Sequence, residues 1–333
     1  YIKYNLRAKG SLKIRPWMKL TDNMSMAVNN YKQPRTSAGN TVQQYMLHCL
    51  SPMSPLKNPD GTWTPAAGTS GYAAFAEGNN FITNDYMIFR NKLDLDISIV
   101  KNILKLQADY SFNYTQRKRI MVQNMVPYSK VPGTIIWQKE TAGDGMKQTD
   151  YNTIYQAANV YLTYTPQLGE KHSLTGLLGW NVEWNKYREV QTGRADFITD
   201  YKWSFNLMDG PVSVSPTSKD WAFNGFFMRV NYAYAGKYLF EGSIRADGSS
   251  KFPPNSRWGV FASGSFAWRL SDEKFMEWAK PALSNFKIRL SAGSMGNGNV
   301  DPYKYTSEMD VNRSSNIVLG GVLPTVTSVA SVV

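Results

Sequence analysis

Polar and apolar residues alternate along this chain with a period of two, in stretches too many and too long for most folds. From Ile2 to Arg15 every even position is apolar or small (Ile2, Tyr4, Leu6, Ala8, Gly10, Leu12, Ile14) and every odd one is polar. Successive side chains of a β-strand point to opposite faces, whereas a helix repeats every three to four residues. The same pattern runs from Leu104 to Arg117, with Leu106, Ala108, Tyr110, Phe112 and Tyr114 on one face and Lys105, Gln107, Asp109 and Asn113 on the other. Strands are expected over 2–15, 17–30, 86–99, 104–117, 151–165, 172–187, 221–235, 238–247, 257–270 and 286–295. Strands of soluble proteins usually have about five or six residues. One crossing a bilayer obliquely needs about nine to eleven, which these satisfy.

The connections alternate too. Pro16, Val100–Ile103, Pro166–Lys171 and Gly236–Lys237 leave room only for tight turns, whereas 31–85, 118–150 and 188–220 are long loops rich in Gly, Asn, Pro, Tyr and Trp. Short periplasmic turns and long external loops are the asymmetry of outer-membrane barrels. The exception, 271–285, is expected to be a short periplasmic helix with Ser271 as N-cap and Asp272 and Glu273 in its first turn.

Aromatics sit where such a barrel needs them. Trp258 and Trp268 share a face, with Val260, Ala262, Gly264 and Phe266 between them. Ten residues of tilted strand cover roughly 23 Å, close to the apolar band of about 25 Å that aromatic girdles bound. Trp180, Trp184, Tyr110, Tyr114, Tyr232 and Tyr234 fall on the same face toward strand ends. The opposite face carries Lys92, Asp94, Asp96, Arg229, Glu241, Arg245, Asp247, Arg257, Arg269, Lys287 and Arg289, which suits a wet lumen and not lipid. Asp22 alone breaks the apolar register and is expected near the periplasmic rim or at a bulge.

Composition removes other classes. Hydrophobic residues make up 42% of the 333, so the chain is neither disordered nor collagenous. No run is long and apolar enough for a membrane helix. One cysteine and two histidines cannot form an internal disulfide or a usual zinc site, and no metal or cofactor is expected. The chain starts at Tyr1 without an initiator methionine or a signal-like segment, which leads us to expect a piece of a longer protein. The +12 net charge is spread over alternate strand positions and not gathered on one element, so nucleic acid is not the expected partner.

The stretch YLFEGSIRADGSSKFPPNSRWGVFASGSFAWRLSDEKFM from Tyr238, followed by LSNFKIRLSAGSMGNGNVDPYKY, closely resembles SusC/RagA-type TonB-dependent transporters of the outer membrane. The matching motif residues are Arg245, Asp247, Gly248, Ser249, Ser250, Phe252, Arg257, Trp258, Gly259, Trp268, Arg269, Gly296 and Asn297. They are expected to be structural. The resemblance implies an all-β fold, a transmembrane antiparallel β-barrel of 22 strands filled by an N-terminal plug domain, of which this chain is expected to supply about ten strands and not the plug. It further implies a Gram-negative outer membrane with its lipopolysaccharide, a SusD-like surface lipoprotein, TonB acting through an N-terminal part, and import of oligosaccharides or oligopeptides. No enzymatic step is implied.

Several motifs have plainer readings. Asp247-Gly248-Ser249-Ser250 lacks the regular acidic ligands of a calcium loop. The glycines at 293, 296 and 298 precede no phosphate-cradling helix. His48 beside Cys49 has no orienting partner nearby and is not expected to be catalytic. The loop aromatics Trp63, Tyr72, Tyr128, Trp137, Tyr201 and Trp203 either stack on sugar rings or pack the loops together or against a partner. A passive porin shares every periodicity argument. A soluble β-sandwich or carbohydrate-binding module would instead bring the apolar faces together in a core.

Overall fold

The computed structural model describes residues 1–34, 53–69, 72–77, 80–131, 133–137, 144–199, 202–279 and 281–306. His48, Cys49 and Tyr201 lie outside the described residues. The strands are β1 (Ile2–Arg15), β2 (Met18–Pro34), β3 (Phe81–Val100), β4 (Leu104–Gln123), β5 (Pro127–Val131), β6 (Thr134–Trp137), β7 (Gly145–Tyr164), β8 (His172–Ala195), β9 (Val212–Tyr234), β10 (Tyr238–Ser249), β11 (Trp258–Arg269) and β12 (Lys287–Gly293). All except β5 and β6 form one 10-stranded antiparallel meander in which each strand pairs with its neighbours in sequence. The small β5–β6 hairpin stands in the external loop between β4 and β7.

The register carries the alternation across the whole sheet. Leu6 faces Met26, Met26 faces Phe89, Phe89 faces Tyr114 and Tyr114 faces Ile154, so apolar rows continue from strand to strand. Leu178, Met228 and Ile244 continue them on the later strands. Leu6, Met26, Leu178 (52%), Met228 and Ile244 are exposed, as is Val260 (63%) on β11, while Phe89, Tyr114 and Ile154 are half-buried among their neighbours, as expected of a surface whose solvent is hydrocarbon. Among the described residues no second layer covers the Leu104–Tyr114 row, so the sandwich alternative fails on the point that defined it.

The other face is a polar network. Lys92 pairs with Asp94 at 2.7 Å, Lys105 with Asp96 at 3.0 Å, and Glu241 lies between Arg229 (3.7 Å) and Arg289 (3.8 Å). Asn181 donates to Asn159, which donates to Asp109. Polar groups left on the lipid side are answered by girdle aromatics: Tyr114 Oη donates to Asn152, and Trp180 Nε1 donates to Asn224. Asp22 is not at a bulge of its own strand but lies toward the tight-turn end of β2. It lies four residues beyond Met18, where Asn91 Nδ2 donates to its carboxylate at 2.6 Å.

Two expectations change. The strands overrun the predicted ends on the loop side, β4 to Gln123 and β8 to Ala195. Beyond the membrane both faces meet water or loops, so alternation fades while the ladder of backbone hydrogen bonds continues. The expected helix over 271–285 is instead two 3-10 segments, Leu270–Asp272 and Lys274–Ala279, and Ser271 is not a side-chain cap. Its hydroxyl is buried and donates to Asp272.

Most tightly buried apolar side chains gather at the external end, in the loops and in the strand ends that carry them. Ala67, Ala73, Ala74 and Val126 form one cluster, and Phe81, Val122, Met146 and Met208 another. Asp60 clips two loops: one oxygen accepts from the Thr62 amide and hydroxyl, the other from the Gly133 amide at 3.0 Å. The Thr62 hydroxyl, then its amide, holds the Asp60 carboxyl below its ordinary value. A lowered folded-state pKa means the clip is fully present above the ordinary carboxylate range and is lost as pH falls through that lowered value. The exchange protection of the Gly133 amide, corrected for its intrinsic rate, should therefore persist down to about pH 4 and collapse below it; collapse already at pH 6 contradicts the clip.

Candidate functional site on the lumen wall

The family-motif residues divide by register into a lumen-facing group, an outer turn and a periplasmic rim. On β10, Arg245, Asp247 and Ser249 face the lumen. Arg245 Nε donates to both Asp247 oxygens, at 2.6 and 2.8 Å, and its guanidinium lies 5.6 Å from the Phe223 ring centre and 5.3 Å from that of Phe227. Flanking aromatic faces favour the cation over water alone.

The turn between β10 and β11 is held by backbone contacts. Ser250 exchanges hydrogen bonds with Ala222 on β9, its hydroxyl accepting from the Ala222 amide at 2.8 Å and its amide donating at 2.9 Å. Arg257 Nε donates to the Phe252 carbonyl. Gly248 is buried because the Trp258 ring lies over it: a Cβ there would come within 2.8 Å of that ring. Trp258 in turn stacks on Phe226 and so belongs to the outer girdle. Trp268 and Arg269 lie at the other end, on the periplasmic rim.

The motif's last glycines have a similar cause. Phe261 faces the lumen next to Gly259 and Gly296, and a Cβ on Gly296 would lie 2.2 Å from its ring. Residues 294–298 can therefore cross close over the wall, where Asn297 accepts from the Asn299 amide at 2.9 Å. Between this crossing segment and the wall is a cleft of about 490 Å³ lined by Arg245, Asp247, Lys251, Trp221, Phe261 and Asn297 among others. Lys251 Nζ sits 5.1 Å from the Trp221 ring centre. Tyr155 packs against the same ring and donates to Glu183 at 2.9 Å. The cleft offers cations, carboxylates and aromatic faces, which are the means of holding a polar oligomer without reacting with it.

Sequence reasoning missed Trp221, Phe261, Glu183 and Gly225. They carry no motif, and only the strand pairing that puts Gly225 opposite Asp247 makes them neighbours.

The loop aromatics fall in two places. Trp63 Nε1 donates to Glu77 at 2.7 Å, its ring meets Tyr72 edge-on at 5.9 Å, and Lys57 lies over it at 4.5 Å. Tyr128 lies over Gly68 in the same cluster. Trp203 packs edge-on to Phe81 at 4.8 Å in the second cluster. Trp137 ends β6, paired with Pro127.

No family model matches the chain. It is similar to TonB-dependent receptor P3 of Formosa agariphila, 34% identical over 155 residues, covering 46% of this chain and 15% of that protein. It is also similar to TonB-dependent receptor SusC of Bacteroides thetaiotaomicron, 26% identical over 258 residues, covering 77% of this chain and 23% of SusC. The solved structure of the RagAB peptide transporter superposes on 98% of the chain with a TM-score of 0.76 at 18% identity. The fold is that of the RagAB barrel wall, and the sequence is similar to curated proteins named TonB-dependent receptors, SusC among them. The chain spans well under half the length of these relatives, and the superposed part is 36% of the RagAB transporter chain, so the sheet corresponds to one sector of that chain's barrel wall.

Proposed function

We propose that the chain is the lumen wall and external loop region of an energy-coupled outer-membrane importer of oligosaccharides or oligopeptides. The observation that carries this is the division of this chain's meander into an apolar outer face and a charged, aromatic-studded inner face, and it is supported by similarity to proteins named TonB-dependent receptors. Cargo would bind between the external loops and a SusD-like lipoprotein, then pass along the lumen wall when TonB remodels a plug. Lipopolysaccharide would surround the external end of the barrel, its phosphates balancing part of the +12 net charge. No bond is made or broken in this scheme. Within the pair of cargo classes, the likeness to the RagAB peptide importer supports oligopeptides.

The test is uptake of labelled oligopeptides and oligosaccharides of defined length by cells carrying the full-length transporter, with and without TonB. The expected result is accumulation of one class above the external concentration, abolished when TonB is deleted. Equilibration at the same rate without TonB would mean a passive porin.

A further inference from the structure

The rim between β11 and β12 carries aromatic surface that the wall itself does not use. Glu273 ties the segment after β11 to the lipid side of that rim. Its carboxylate accepts from Tyr238 Oη at 2.8 Å, Trp268 Nε1 at 3.2 Å and Lys237 Nζ at 3.1 Å. Tyr238 and Trp268 are a directly opposed pair in the lipid-facing register, so the segment hangs outside the lumen. Tyr234, Tyr238 and Trp268 stack in sequence at 6.4 and 6.2 Å, and the Phe275 ring meets Trp268 edge-on at 6.2 Å, extending the girdle below the last strand residue.

Lys274–Ala279 is a 3-10 segment. Three residues per turn align side chains at i and i+3. One face then carries Met276 and Ala279, the first half-buried and the second buried, against the protein. The second carries Lys274 and Glu277, both exposed. The third carries Phe275 and Trp278, which are 57% and 79% exposed although they continue a lipid-facing girdle.

We propose that Lys274–Ala279 is an interfacial foot that sinks Phe275 and Trp278 into the phospholipid leaflet at the periplasmic end of the barrel, at the boundary between headgroups and acyl chains. Aromatic side chains favour that depth because the ring is apolar while a tryptophan N–H still reaches water. The charged Lys274–Glu277 face stays in the aqueous layer, as on other segments that lie in the interface. The inference rests on the barrel-wall assignment and is independent of what the transporter carries.

The experiment uses the full-length transporter in a cysteine-free background, reconstituted in phosphatidylethanolamine–phosphatidylglycerol vesicles. A single cysteine replaces Phe275, Trp278, Lys274, Glu277 or, as control, Val260, and carries an environment-sensitive fluorophore. Quenching is read with lipids spin-labelled at carbon 5 or carbon 12 and with a water-soluble nickel complex. Labels at 275 and 278 are expected to be quenched several-fold more by the carbon-5 lipid than by the nickel complex, those at 274 and 277 the reverse. Glu273→Ala, which cuts the tie to Tyr238 and Trp268, should lower the lipid quenching at 278. Quenching at 278 by the nickel complex alone, or by neither agent because another protein part covers it, overturns the proposal. A Val260 label that escapes both spin-labelled lipids would instead overturn the barrel assignment beneath it.

Discussion

Ile244→Arg is expected to destabilise the folded barrel by about 2–4 kcal/mol, the cost of a cation facing lipid near the bilayer midplane. Ile244 lies between Met228 and Ala262, midway along the rows that run from the Trp258 end to the Trp268 end, and its side chain is 44% exposed. A residue that open in a water-facing sheet would accept arginine for about 0.5 kcal/mol or less. The size of the loss therefore reports which solvent the face meets. Asn231→Arg on the neighbouring strand is the matched control. It faces the lumen directly opposite Glu241, and the new cation should change stability by no more than about 0.5 kcal/mol. Guanidinium titration of the full-length protein in phospholipid vesicles measures both. Equal and small effects at the two positions would mean that water bathes both faces.

The wall was legible because lipid on one side and water on the other impose a period of two over the whole width of the membrane. That is why the turn after Arg15, the hairpin at Ala235–Lys237 and the lumen placement of Lys92, Asp94 and Asp96 could be read from spacing alone. Where the two-solvent constraint stops, so does the signal. Ser215–Lys219 of β9 and Arg188–Arg194 of β8 remain paired strands but alternate poorly, since both faces leave the hydrocarbon. The 270–279 segment misled for another reason. Ser271 followed by acids is good capping chemistry for an α-helix, but Glu273 is engaged by Tyr238, Trp268 and Lys237, and those tertiary bonds fix 3-10 turns instead. On the wall the motif residues could be named from sequence, yet the glycines that make room for Arg245, Asp247 and the Phe227 ring beside them could not. Gly179 lies under the Phe227 ring and Gly225 under the Arg245–Asp247 pair, each on a different strand from what it accommodates.

Gly225→Val is expected to destabilise the barrel by about 1 kcal/mol, the low end of the overpacking range, because the atoms in its way are the ends of two side chains that can shift. Local propensity argues the other way, because valine suits a strand and an interior glycine weakens one. Crowding decides the sign. A Cβ at 225 would stand 2.7 Å from both Arg245 Nη2 and Asp247 Oδ1, in a space closed by the Phe223 and Phe227 rings that flank the guanidinium. Arg245→Ala alone should cost only about 0–1 kcal/mol, since the pair it breaks is partly solvated, with Arg245 38% exposed. Combined, the two changes should not add. With the guanidinium gone, the Asp247 carboxylate is free to turn toward lumen water and the valine has room. The double mutant should then recover about 0.5–1 kcal/mol relative to the sum of the singles, the low end of the coupling expected of residues in contact. The same vesicle titration closes this cycle, and strict additivity would show that the ion pair does not occupy the space above Gly225.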